Sequence, residues 1–141
     1  MNPKRLIIAI IVAYITTFAT DILIHGVWLQ PVYKATMNLW RTEAEMQSHT
    51  GCLMAGQFLA ATMFVLIWAR GFAAGARPLC AVRYGLCMGV FLQSFTLIDY
   101  AVAPLTAEIA WKWFVSGVLQ SIVLGLVTFA VYKPLAPDAA K

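Results

Sequence analysis

The stretch K-R-L-I-I-A-I-I-V-A-Y-I-T-T-F-A-T-D-I-L-I-H-G-V-W-L, residues 4–29, decides the fold. A basic pair, Lys4-Arg5, opens it, and Asp21 and His25 are the only ionisable side chains in the remainder apart from the phenol of Tyr14. A helix needs roughly 20 consecutive apolar residues to cross a bilayer, and this run supplies them. Its small-residue site at Thr17-Phe18-Ala19 has some features of a signal peptide. We read the run as a retained span.

Asp21 is the costly residue in that span. It follows Arg5 by sixteen residues, which at about 1.5 Å of rise per residue puts the carboxyl roughly 24 Å above the basic anchor. The hydrocarbon core is about 30 Å thick, so an ionisable group at that depth points to function by default. The same interval recurs in the third hydrophobic stretch, where Asp99 follows Arg83 by sixteen residues. Glutamines echo it: Gln57 precedes Arg70, and Gln120 precedes Lys133, by thirteen residues each. A helix hairpin repeated twice would produce this pattern, although the intervening residues do not align.

Composition supports the membrane reading. The 141 residues are 62% hydrophobic and 11% charged, well below the roughly 25% charge of a soluble domain. The net charge of +4 comes from basic residues at helix ends and not from a polybasic tract, so no nucleic-acid partner is implied. Cys52, Cys80 and Cys87 form no CxxC pair and suggest neither a disulfide framework nor a zinc knuckle.

Four spans are expected, over residues 6–29, 52–69, 84–105 and 107–132, within a single membrane domain covering 1–141. Because the apolar stretches do not alternate, they read as helices: an all-α, four-transmembrane-helix bundle. Lys4, Arg5, Arg70, Arg77, Arg83, Lys133 and Lys141 fall on one side, which the positive-inside rule places in the cytoplasm, N-in and C-in. Between helices one and two, Tyr33, Met37, Trp40 and Ala44 recur at helical spacing beside Lys34, Asn38, Arg41 and Glu45. That pattern predicts an amphipathic interfacial helix over 31–46, begun by Pro31, serving as a lid or as one wall of a site.

The remaining polar residues concentrate on the non-cytoplasmic side. Asp21 and His25 are i, i+4 on helix one, Gln57 is on helix two, and Gln93, Thr96, Asp99 and Tyr100 are on helix three. Helix four adds Glu108, Lys112, Ser116 and Gln120. Intramembrane polar groups usually face the bundle interior, so one connected polar pocket is expected. The bland alternative is polar glue: Asp21 with His25 and Glu108 with Lys112 holding helices in register.

Three chemistries use such a layer. Asp21, His25 and Asp99 would suit a divalent metal, since carboxylate and imidazole are ligands for zinc, iron or manganese. His25 and His49, the only histidines, would hold a b-type haem if both turned inward. A lipid headgroup or small polar molecule is the third, with Lys112 for an anion and Trp111 and Trp113 nearby, although these tryptophans also fit an ordinary aromatic belt. No GxSxG, HExxH or P-loop motif is present, and an Asp21/Asp99 carboxylate pair is the one arrangement that suggests acid–base work.

Small residues mark packing seams: Gly85 and Gly89 on helix three, Gly56 and Ala60 on helix two, and Gly117, Ser121 and Gly125 on helix four. One of these would serve a homodimer or a larger complex. Ile7, Ile8, Ile11, Val65, Phe91 and Val123 are expected to face lipid.

The runs D-I-L-I-H-G-V-W-L, Y-K-A-T-M-N-L-W-R, V-R-Y-G-L-C-M-G and W-K-W-F-V-S-G resemble an uncharacterised family of small bacterial four-helix membrane proteins. The resemblance implies a bacterial inner membrane and draws attention to Asp21, His25, Tyr33 and Trp40, but it carries no activity to transfer. The expectation is a non-catalytic binding or accessory subunit of a membrane complex. The alternative is a metal- or haem-dependent membrane enzyme or electron carrier using Asp21 and His25.

Overall fold

A computed structural model describes residues 2–132; the basic residues Lys133 and Lys141 lie outside them. All the regular elements among the described residues are helical, and four helices are long and apolar enough to cross a membrane. The chain is a multi-pass membrane protein by that criterion.

Several helices start at a capping side chain or a proline. Helix α1 (Pro3–Asp21) has Pro3 in its first turn and Asn2 as cap, its Oδ1 accepting from the Arg5 N–H at 3.2 Å. It continues without interruption into a π-helical segment, Ile22–Trp28. The short α2 (Gln30–Ala35) follows, then a single 3-10 turn, Met37–Leu39, then α3 (Glu43–Ser48). Helix α4 (Thr50–Gly71) runs back across the bundle. Helix α5 (Pro78–Val102) begins at proline after extended Arg77, and α6 (Ala107–Val131) is capped by Thr106, whose hydroxyl accepts from the Ile109 N–H. Between α4 and α5 the chain turns through Gly75 at φ 67°, a left-handed conformation that glycine adopts without steric cost.

The segment expected as one helix over 31–46 is two short helices with a break between them. Trp40 is extended, and Thr42 opens α3 through a capping box in which Glu45 carboxylate accepts from the Thr42 N–H at 2.9 Å. The T-x-x-E signal at 42–45 was visible in the sequence, and it overrides the apolar spacing of Met37, Trp40 and Ala44. The Thr42 hydroxyl and N–H hold Glu45 below its ordinary carboxylate range. Helix α5 also starts earlier than expected, so Arg83 sits within its second turn and not in the connection.

Helix α1 lies between α4 and α6, and α5 packs most intimately on α6. The α5–α6 contact is the meeting of two of the small-residue seams. A Cβ on Gly85 would fall 2.6 Å from the Ile122 Cα and against the Ser121 carbonyl, and one on Gly125 would fall 2.5 Å from the Ala81 carbonyl. Only hydrogen fits there, because backbone meets backbone. Gly56 and Ala60, by contrast, are exposed, and a Cβ on Gly56 would meet nothing within 4 Å.

The bundle is sealed at the end carrying Arg5, Arg70 and Arg83. Trp68 is fully buried there, with ring centroids 5.3 Å from Tyr84, 6.2 Å from Phe72 and 6.2 Å from Phe129. Tyr84 donates to the Phe64 carbonyl, tying α5 to α4. Ala9, Ala13, Ala61 and Ala81 are small enough to bring the helices together around this plug. Ile7, Ile8, Ile11, Phe91 and Val123 are exposed as a lipid-facing surface requires. Val65 is not: it is fully buried one turn from Trp68, because α4 turns that face to the core. The opposite, far end is looser and carries the polar residues.

Candidate functional site

The expected single polar layer is resolved into two assemblies that share Gln120. The first is a clamp on Asp21. Gln57 Nε2 of α4 donates to Asp21 Oδ2 at 2.5 Å, and Gln120 Nε2 of α6 donates to Oδ1 at 2.6 Å. Gln120 also reaches Thr20 Oγ1 at 2.7 Å and the Thr17 carbonyl at 3.3 Å. The carboxylate thus joins three helices, each of its oxygens taking an amide donor. No basic side chain bonds to it among the described residues. A charge inside the hydrocarbon region is costly, and two neutral amides offset only part of that cost.

This geometry departs from the duplication suggested by residue spacing. A symmetric repeat would give one glutamine to each aspartate; instead both converge on Asp21. Asp99 makes no side-chain hydrogen bond among the described residues and lines the second assembly, a cleft of about 320 Å³. The π segment contributes Ile24 and His25 to its wall, α5 contributes Gln93, Thr96 and Asp99, and α6 contributes Trp113, Ser116, Gly117 and Gln120. Gln93 is held by the Thr96 hydroxyl, which donates to Oε1 at 2.7 Å, and its amide lies directly on Gly117.

His25 does not pair with Asp21. The two are i, i+4, but the intervening backbone widens into π-helix, where the Leu29 N–H bonds the Ile24 carbonyl five residues back at 2.8 Å. The wider turn directs Asp21 towards the glutamines and His25 towards α2. There His25 Nδ1 lies 2.6 Å from the Tyr33 hydroxyl, which accepts from the Trp113 indole N–H at 2.6 Å. Indole is a donor only, so the Tyr33 hydroxyl keeps its own proton available to donate to Nδ1. Trp40 completes the group, its ring 5.2 Å from Tyr33 and 5.9 Å from Trp113. Its indole N–H donates to Thr36 at 3.1 Å.

Burial raises the Tyr33 phenol above its ordinary value of 10.0; the Trp113 N–H works against this, and the Asp21 charge adds to it. A phenol raised in the folded state stabilises fully below pH 10 and loses that contribution as pH climbs through its folded value. Tyr33→Phe is therefore expected to lower stability by about 1 kcal/mol at neutral pH. Melting curves from neutral to alkaline pH should also show a smaller alkaline loss than the parent protein. An unchanged profile would mean that the Tyr33 hydroxyl does not contribute to stability.

Other expected site residues lie elsewhere. Lys112 pairs with Glu108 at 2.6 Å on the α6 surface and sits 5.6 Å from the Trp28 ring, outside the cleft, so it is placed to anchor α6 and not to meet an anion there. Tyr100 is exposed and does not line the cleft. Met37 is exposed as well. His49 bonds its own turn, to the Glu45 carbonyl at 2.7 Å and Ser48 at 3.0 Å, while His25 turns to Tyr33; no contact joins the haem pair among the described residues. No group of three His, Cys, Asp or Glu side chains there is arranged to hold a metal, so Asp21, His25 and Asp99 are not assembled as a ligand set.

Trp113 is the residue that sequence reasoning left between a ligand contact and an aromatic belt. It shares the W-K-W run with exposed Trp111, and only the helix rotation separates a belt residue from a cleft residue. No family model matches the chain, and no curated protein or solved structure matches it.

Proposed function

We propose that this chain is a non-catalytic binding or accessory protein of a bacterial inner membrane, N-in and C-in. Its far-end cleft would face the non-cytoplasmic side, capped by the interfacial segment 30–48. The basic residues at the sealed end, Lys4, Arg5, Arg70, Arg77 and Arg83, support that orientation. The observation that carries the binding role is the cleft itself: an open space of about 320 Å³ with the Asp99 carboxylate on its wall and no Lys or Arg among its lining residues. Gln93 and His25 add polar edges. That lining favours a ligand with an ammonium group, and a zwitterionic lipid headgroup is the source closest at hand.

Native mass spectrometry of the detergent-purified protein tests this with added phosphatidylethanolamine and phosphatidylglycerol. Phosphatidylethanolamine should be retained preferentially, and Asp99→Asn should weaken that retention about tenfold, the value of one charge-assisted hydrogen bond. Free ethanolamine should compete if the headgroup alone is recognised. Equal retention of both lipids by both proteins would refute the reading. The metal or haem alternative draws no support from a ligand cluster. It would be revived by a Soret band, or by about one metal per chain lost in His25→Ala.

A further inference from the structure

We propose that the oxygen atoms around Asp21 form a binding site for a monovalent alkali cation, distinct from the cleft. Two buried side-chain oxygens on residues that meet in the clamp have no hydrogen-bond partner among the described residues: Gln57 Oε1 and Thr17 Oγ1. Gln57 touches Asp21 directly, and Thr17 lies one helical turn before it on α1, its carbonyl sharing Gln120 with the carboxylate. Membrane helices normally satisfy a hydroxyl by donating to the carbonyl one turn back. Thr16, Thr20 and Thr62 all do so, at 2.8, 2.8 and 2.7 Å, and Thr17 does not.

Orphaned polar atoms in a buried region are costly, and two of them on residues gathered around a carboxylate with no basic partner share one remedy. A cation held by Asp21, Gln57 Oε1 and Thr17 Oγ1 neutralises the charge and gives both orphans a partner. The donors are all oxygen, which selects a hard ion over one that prefers nitrogen or sulfur. The single carboxylate balances one positive charge, so the ion is monovalent. A proton on Asp21 would neutralise the charge but leave Thr17 unpartnered. The irregular π segment starts at the next residue, and membrane cation sites recur where a helix departs from regular geometry.

The test uses the full chain in lipid nanodiscs, with Na⁺ as the probe and N-methylglucamine as the replacement at constant ionic strength. Na⁺ should raise the melting temperature saturably, by about 5 °C, and radiolabelled Na⁺ should bind at one ion per chain. Asp21→Asn should abolish Na⁺ binding and, with the charge gone, melt in Na⁺-free buffer at or above the Na⁺-saturated parent. Thr17→Val, nearly isosteric, should weaken Na⁺ binding at least several-fold. Thr128→Val removes another buried unpartnered hydroxyl far from Asp21 and should leave Na⁺ binding unchanged. The proposal is overturned if the parent melts identically in both salts, or if Asp21→Asn keeps its Na⁺ response. It is also overturned if infrared spectra of the Na⁺-saturated parent show a protonated carboxyl band that Asp21→Asn lacks.

Discussion

Trp68→Ala is expected to destabilise the protein by about 3–5 kcal/mol, the largest single effect in the chain. The indole is fully buried at the sealed end and is packed on three aromatic rings: Phe72 just after α4, Tyr84 on α5 and Phe129 on α6. Truncation would leave a void that the surrounding rings cannot fill without moving helices, and lipid tails do not enter a space closed on all sides. The indole N–H has no hydrogen-bond partner among the described residues, so the loss there is of packing. Trp68→Phe should therefore be tolerated far better, at less than half the cost. Unfolding followed by tryptophan fluorescence or circular dichroism in detergent separates the two variants. Similar stability for alanine and phenylalanine would show that the plug does not hold the bundle.

Gly85→Ala is the second large effect, by overpacking. The added methyl would meet the backbone of Ser121 and Ile122, not the tip of a flexible side chain. Helices α5 and α6 must separate to admit it, at about 1–3 kcal/mol and sometimes more. Gly56→Ala is the matched control, since a Cβ there meets nothing within 4 Å. The seam lies directly below the cleft on the same two helices, so Gly85→Ala should also weaken phosphatidylethanolamine retention. Gly56→Ala should change neither quantity. Melting temperatures and lipid retention measured on the same samples check both statements, and equal effects from the two glycines would contradict the packing account.

These two predictions show why some features were legible in the sequence. The four spans follow from length and apolarity, because bilayer thickness is a one-dimensional constraint that residue counting meets. Gly85 and Gly89 read as a seam because only glycine allows backbones so close, whatever the partner. The depths of Asp21, Gln57 and Gln120 were legible for the same reason: rise per residue is nearly constant along a helix. Their agreement in depth is what allows the clamp to form.

Direction around the helix axis was not legible. Asp21 and His25 share a face in an α-helix, and the π segment Ile22–Trp28 sends them to different partners. Val65 looked lipid-facing and is buried, and Trp113 looked like Trp111 and is turned into the cleft. The choice of Asp21 over Asp99 by both glutamines likewise depends on α1 lying between α4 and α6. Only the capping box at Thr42 and Glu45 was a local signal that apolar spacing concealed.

The sequence by itself determined that this protein has four stretches long and apolar enough to cross a membrane and that Asp21, Gln57 and Gln120 come at matching distances along their helices. It did so because hydropathy and length answer to the solvent, residue by residue. Tertiary structure decided that the polar residues divide into a clamp and a cleft. Helix rotation and neighbour choice are set by contacts summed over the whole bundle, and no single stretch contains that sum.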